Sequence, residues 1–296
     1  MDLDSDLCLD LNLDSFGWME LSILLHERAG VVFSESDLAR IATIRDLLRL
    51  SIDRQTGTAA PASATPAFTL DSEYWLAPIG LWLTALGLAI YAINYGVVRG
   101  VFRLRVCGID LLPAAGPFVI TPNHVSYLDS LVIAAALPWS RLRRVYWAGD
   151  SRRLFPHPLT RVFCRAVHLF PVEELHPGAA LETANRILAV GDTLVWFPEG
   201  WRSPDGRLQR LLPGIGGVLL HSGAPAVPAS IWGTFEALPR GRRIPRWHRL
   251  TVTFGRPAPV GILRATGVGR TDEERVADGL RQRLAALVGS ERRADR

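Results

Sequence analysis

Lysine is absent from this chain: all 33 basic side chains among its 296 residues are arginine. The substitution extends over exposed and motif positions alike, so it reads as coding bias. Cysteine is scarce as well. Cys8, Cys107 and Cys164 lie far apart with no CxxC spacing, which indicates neither a disulfide framework nor a zinc or other metal site and fits a reducing cytosolic setting. A long uncharged run at 74–98 is the one segment read as membrane-associated, which counts against a polytopic membrane protein. The N-terminus alternates Asp and Leu where a secretory signal has a basic stretch and an apolar core, so no standard signal is expected. There is no GxSxG elbow, which counts against a serine hydrolase of the common α/β type, and no P-loop or Rossmann glycine pattern.

Hydrophobic residues make up 48% and charged ones 21%, the balance of a globular chain and not of a disordered one. The length allows one ordinary domain plus a small one. The net charge of +4 conceals a division: residues 1–73 hold 13 acidic and 5 basic side chains, whereas 74–296 hold 16 acidic and 28 basic. A basic body suits nucleic acid, an anionic membrane or a phosphorylated substrate, and the motifs must choose among them.

Residues 1–54 read as an acidic helical module and 55–72, rich in Ala, Pro, Thr, Ser and Gly, as a flexible linker with no apolar face to bury. The segment 73–98 is long enough to cross a bilayer, but Pro78, Gly80, Gly87 and Gly96 weaken or kink it. Asp71 and Glu73 precede the run while Arg99, Arg103 and Arg105 follow it, so the positive-inside rule would put the acidic module outside the cell. A helix or bent hairpin embedded from the cytoplasmic face is therefore expected in preference to a full span. In 99–296, strands are expected at 117–121, 192–197, 225–233 and 249–257, with helices at 126–137, 178–190 and 271–288. Alternating strands and helices imply an α/β body.

Two polar clusters follow apolar strands directly. In Asn123-His124-Val125-Ser126-Tyr127-Leu128-Asp129, His124 and Asp129 stand five positions apart, so a carboxylate on the first turn of a helix can reach back to the imidazole. Such an acid would fix the tautomer and leave the second ring nitrogen free to take a proton from a substrate hydroxyl. In Phe197-Pro198-Glu199-Gly200-Trp201-Arg202-Ser203, Gly200 permits close backbone approach, Arg202 offers a planar fork for phosphate or carboxylate, and Glu199 can orient that Arg or a hydroxyl. Asn123 and Ser126 suit turn and cap positions. Cys164 and His168 are four apart and could share a face of an ordinary helix.

The ordered pair of clusters resembles the glycerolipid acyltransferase family: NHVSYLD matches its NHxxxxD motif and FPEGWRS its FPEGTRS motif, and Val227-Pro228-Ala229-Ser230-Ile231 is similar to its late VPxxI strand. The likeness covers roughly 74–260. It departs at Trp201, where the family usually has Thr, and at Glu173 and Glu174, where members commonly carry a basic acceptor-binding residue. The resemblance implies a mixed sheet flanked by helices and transfer of an acyl chain from a thioester to a glycerophosphate hydroxyl. By the same resemblance His124 is the general base and Asp129 its orienting acid, both catalytic, while Glu199, Gly200, Arg202 and Pro228 bind substrate. The implied partners are an acyl-CoA or acyl-carrier-protein donor, a lysophospholipid acceptor such as lysophosphatidic acid, and the membrane surface, with no nucleic acid.

In the acidic module, apolar Phe16, Met19, Ile23 and Val31 suggest a buried helix begun by Asp14 or Ser15, followed by a loop and a helix near 43–54. Asp14-Ser15-Phe16 with Glu20 and Leu21 resembles the second half of an acyl carrier protein, whose serine receives 4′-phosphopantetheine from a phosphopantetheinyl transferase. A helix N-terminus suits a phosphodiester, because free N–H groups and the helix dipole favour negative charge there. Only 14 residues precede Ser15, too few for the long first helix of a carrier domain. The resulting expectation is a membrane-associated acyltransferase with a partial carrier module. Its rival is a non-catalytic, membrane-bound carrier or scaffold with an inactivated acyltransferase domain.

Overall fold

The computed structural model describes residues 41, 43–55, 72–150, 154–155, 157–172, 177–239, 242 and 244–294. The chain divides into two units, Met1–Thr69 and Leu70–Arg296. In the first, α1 spans Ile44–Gln55. Thr43 and Asp46 cap it reciprocally: the Thr43 amide donates to the Asp46 carboxylate (3.1 Å) and the Asp46 amide to the Thr43 hydroxyl (3.3 Å). The helix expected to begin at Asp14 or Ser15 lies outside the described residues.

In the second unit the apolar run is divided. Helix α2 covers Ser72–Leu76, and α3 covers Leu81–Gly96, then continues in a wide turn over Val97–Val101. The interruption falls at Pro78, which lacks an amide hydrogen, and Gly80, whose backbone is extended. By length and composition 81–101 could cross a membrane. Its polar side chains nevertheless bind it to the body. Tyr91 donates to the Leu137 carbonyl (3.2 Å), Asn94 to Leu131 (2.9 Å) and Arg99 to Ala135 (3.3 Å), which ties α3 along α4 (Leu128–Ala136). At Gly87 the helix backbone comes so near the Ala166 carbonyl that a Cβ would stand 2.5 Å from the oxygen. Buried Arg165 secures the preceding stretch by donating to the carbonyls of Trp75 (3.0 Å) and Ala77, with the Tyr74 ring beside it.

Seven strands form one mixed sheet: β1 Arg105–Cys107, β2 Phe118–Pro122, β3 Val145–Asp150, β4 Leu169–Val172, β5 Thr193–Val195, β6 Ala226–Trp232 and β7 Thr251–Phe254. Their order is β1-β7-β6-β2-β5-β3-β4, parallel throughout except for β6 against β7. The flanking helices after α4 are α5 Trp139–Leu142, α6 Pro158–Ala166, α7 Pro177–Ala189, α8 Gly214–Ser222, α9 Thr234–Ala237, α10 Val260–Thr266 and α11 Asp272–Ala294. The mixed α/β architecture is the one the motifs implied. Every residue of β2 is buried, as a central strand covered on both faces must be. Ile120, Val132, Ile133, Leu194, Val227, Val276, Leu280 and Leu284 are wholly inaccessible. Burial of such side chains stabilises by roughly 1.5–3 kcal/mol each, which holds α4 and α11 to the sheet.

Candidate active site

Strands β2 and β5 run parallel and adjacent, so the polar segments that follow them, 123–129 and 197–203, leave the sheet at one edge. Asn123 extends the ladder with its side chain: Oδ1 accepts from the Ile231 amide (2.7 Å) and Nδ2 donates to the Ile231 carbonyl (3.1 Å). Ser126 donates to the Leu238 carbonyl (2.7 Å) and accepts from the Leu128 amide (3.2 Å). These bonds shape the turn that carries His124.

Asp129, fully buried in the first turn of α4, concentrates three donors on one oxygen. Its Oδ2 accepts from the amides of Val125 (2.6 Å) and Ser126 (2.8 Å) and lies 2.8 Å from His124 Nδ1. A carboxylate at that distance assigns the proton to Nδ1 and makes Nε2 the basic nitrogen. Nε2 has no protein partner among the described residues. The imidazole, whose side chain is 18% exposed, stacks on Phe197 with 4.1 Å between ring centroids. The ring is thus held by an acid at one nitrogen and an aromatic face alongside.

The second segment is joined to the first through Glu199, which is 2% exposed. Its Oε1 accepts from the His124 amide (2.7 Å) and its Oε2 from the Gln209 amide (2.9 Å), while the Ser203 amide donates back to the His124 carbonyl (2.8 Å). His124 is therefore gripped by its own backbone on both sides. Gly200 turns the chain at φ +76°, a conformation that favours glycine, and a Cβ there would stand 2.6 Å from Leu212 Cδ1, so the leucine side chain would have to shift. The Arg202 guanidinium lies over the Tyr127 ring, 3.5 Å from its centroid. The Trp201 carbonyl accepts from the Gln209 side chain (3.0 Å).

Burial outweighs the two amide bonds at Glu199 and pushes its carboxyl up to about 7. An unfolded chain releases that proton near 4.5, so between those values the folded state binds more protons and stability falls as pH rises. The expected result is that the stability difference, wild type minus Glu199→Gln, shrinks by about 3 kcal/mol from acid to neutral pH in paired denaturant titrations. A difference independent of pH contradicts this.

The structure brings together His124, Asp129, Glu199, Gly200 and Arg202. Pro228 is buried within β6, paired with Thr121 of β2 and packed on Gly255, with its carbonyl accepting from the Gly255 amide (2.8 Å). Both carboxylate oxygens of Glu199 accept backbone N–H groups. Ser15, Glu173 and Glu174 lie outside the described residues. Cys164 and His168 do not share a helix, because α6 ends at Ala166 and His168 adopts φ +57°. Burial pushes the Cys164 thiol up to about 11 and, with Arg165 beside it, the His168 imidazole down to about 4. Three contributors escape sequence reasoning: Phe197 beneath the imidazole, Tyr127 beneath Arg202, and Gln209. The first two sit inside the motifs as aromatic letters, whereas Gln209 lies outside both motifs and acts on Glu199 through its backbone amide and on the Trp201 carbonyl through its side chain.

Residues 103–232 match the acyltransferase family model, and residues 1–51 match the phosphopantetheine attachment site model. A 1-acyl-sn-glycerol-3-phosphate acyltransferase of Bacillus subtilis is 26% identical over 190 residues, covering 62% of this chain and 87% of that protein. The chloroplastic protein BAT2 of Brassica napus, of the same name, is 26% identical over 47% of this chain, which spans only 40% of its length. An uncharacterised protein of Mycobacterium tuberculosis, Rv0502, is 30% identical over 55% of this chain and 48% of its own length. The crystal structure of the 1-acyl-sn-glycerophosphate acyltransferase PlsC from Thermotoga maritima shares the fold, with a TM-score of 0.55 and 21% identity over 71% of this chain and 78% of that one. The chain carries at residues 103–232 a domain of the acyltransferase family, preceded at residues 1–51 by a segment of the phosphopantetheine-attachment family.

Proposed function

We propose that this chain is a membrane-associated O-acyltransferase that moves a fatty acyl group from a thioester, on CoA or a carrier protein, to a hydroxyl of a glycerophospholipid precursor such as lysophosphatidate. The observation that carries this reading is the His124–Asp129 pair, 2.8 Å apart, hydrogen-bonded through its backbone to the loop that bears Arg202. In the reaction His124 Nε2 takes the acceptor's hydroxyl proton as the oxygen attacks the thioester carbonyl; the new C–O bond forms, the C–S bond breaks, and the thiolate receives that proton from Nε2. Asp129 stabilises the transient imidazolium. Arg202 binds the acceptor phosphate, with Gly200 leaving its backbone open to the anion, and Glu199 positions His124. Pro228 serves substrate binding only indirectly, through the sheet beneath the site.

The domain reading that accompanies this is a carrier-like module at 1–54, a linker at 55–72, a membrane-associated segment at 73–98 and a catalytic domain at 99–296, acting on the cytoplasmic face. Ser15 is the position for 4′-phosphopantetheine, installed by a phosphopantetheinyl transferase. Incubation with that enzyme and CoA should add the mass of one arm to wild type and none to Ser15→Ala; an unchanged wild-type mass overturns the carrier assignment. The transferase reading is tested with labelled acyl-CoA and lysophosphatidate presented to membranes containing the chain, where a labelled two-chain product is expected. Equal product with His124→Ala refutes His124 as the base.

A further inference from the structure

The arginines that precede β1 and β7 have no part in the chemistry above, yet the fold sets them at the edge of the sheet that carries the site. Strand β6 is parallel to β2, β7 is antiparallel to β6, and β1 is parallel to β7. The beginnings of β1 and β7 therefore lie at the same edge of the sheet as the end of β2, where His124 sits. Just before β1 stands Arg103, with Arg105 as its first residue, and just before β7 stands the segment 244–249, with Arg246 and Arg249. All four side chains are exposed, and none makes an ion pair with a carboxylate among the described residues.

Three hydrogen bonds place this cluster against the end of the apolar helix. The Trp247 indole donates to the Val101 carbonyl (2.8 Å), the Leu250 amide to the Phe102 carbonyl (3.3 Å), and the Arg105 amide to the Leu250 carbonyl (2.9 Å). On the other side the cluster meets the catalytic turn: the Arg246 amide donates to the Ala237 carbonyl (2.7 Å), and the neighbouring Leu238 carbonyl receives the Ser126 hydroxyl (2.7 Å). Among these cations stand apolar side chains that a water-facing loop would not retain in the open: Ile244 is 74% exposed, Trp247 61% and Val101 54%. They continue the exposed apolar surface of α3.

Resting on the acyltransferase reading, we infer that 244–249, with Arg103 and Arg105, is a docking surface for the acidic head groups of a phospholipid bilayer, and that it sets the catalytic turn at the level of the membrane plane. Arginines interspersed with Trp and Ile match a charged interface over an apolar interior, with guanidinium groups on phosphates and the aromatic ring at the boundary. A water-soluble acidic partner, such as this chain's own residues 1–54, would satisfy the arginines but gives no reason for the exposed Ile244, Trp247 and Val101.

The test is sedimentation of the full chain with vesicles of phosphatidylcholine alone or with added phosphatidylglycerol, at increasing salt. Wild type is expected to prefer the anionic vesicles and to lose that preference as salt rises. Arg246→Glu with Arg249→Glu should weaken anionic binding by about tenfold or more, while Arg246→Lys with Arg249→Lys retains it and Trp247→Ala weakens binding to both vesicle types. Acylation of a short-chain, water-soluble acceptor from acyl-CoA should remain unchanged in all of them, which also shows that they fold. Wild-type binding by the double glutamate variant, or no preference for anionic vesicles in wild type, overturns the inference. So does a double variant that binds vesicles normally but no longer accepts acyl groups from a loaded Ser15, which would assign the surface to the acidic segment. Vesicle binding as expected, in a wild type that acylates no acceptor, would uphold the docking surface and sink the enzymatic reading alone.

Discussion

Replacement of His124 by alanine is expected to lower acyl transfer by roughly 10²–10⁴-fold while leaving the unfolding transition close to that of wild type. The rate falls because the acceptor hydroxyl, a very weak acid, then has no base in place of Nε2, the ring nitrogen without a protein partner among the described residues. The fold survives because the loss removes one of three donors to Asp129 Oδ2, and the amides of Val125 and Ser126 keep that oxygen occupied. The Glu199 brace also survives, since it binds the backbone amide of residue 124 and not its side chain. A rise in KM for the acceptor with kcat unchanged would be the wrong signature, since proton removal belongs to the transition state and not to binding. Turnover within a few-fold of wild type, in a folded variant, contradicts the assignment.

The second large effect is at Asp129, and there stability and rate separate by choice of substituent. Asp129→Ala strands the Val125 and Ser126 amides in a buried position, at a cost of about 1–3 kcal/mol for each group left without an acceptor. It also frees the imidazole to rotate. A protein both less stable and nearly inactive is expected. Asp129→Asn retains one carbonyl oxygen for the two amides but supplies no negative charge to the imidazolium, so it should fold much as wild type does and still lose rate on the order of 10³-fold or more, as when an acid is neutralised in a comparable acid–histidine pair. Thermal unfolding and turnover measured on both variants check this. Equal activity of Asp129→Asn and wild type would reduce Asp129 to a structural turn residue.

The features legible beforehand are those whose letters carry their own physics. PFVIT reads as a covered strand because its side chains are apolar with no polar alternation, and it ends where the motif begins. The spacing of His124 and Asp129 defines their contact because one helical turn fixes the reach. Pro78 breaks the apolar run because its nitrogen has no hydrogen. Other features depend on main-chain partners, which no letter marks. Tyr91, Asn94 and Arg99 bind α3 to carbonyls of residues 131–137, so the docked position of that helix is absent from any hydropathy pattern. Glu199 meets the Gln209 amide ten positions further on, and nothing in the glutamine side chain advertises that bond. Strand β3 follows a run of arginines without alternation, and β1 has only three residues, too few for periodicity to register. Pro228 is a substrate contact by its motif position alone, and no letter marks its surroundings, which the register of β6 against β2 sets by pairing it with Thr121.

Ester formation from a thioester yields two products, a thiol and an acylated acceptor, and a simultaneous count of both is the most direct measurement of it. Purified full-length chain is supplied with acyl-CoA and a panel of glycerophosphate and lysophospholipid acceptors; released thiol is titrated while mass spectrometry follows the acceptors. The predicted result is one thiol released for each acyl group gained by a phosphorylated acceptor, with neither product formed by His124→Ala. Thiol release without acceptor acylation, or no reaction of wild type with any member of the panel, would contradict it.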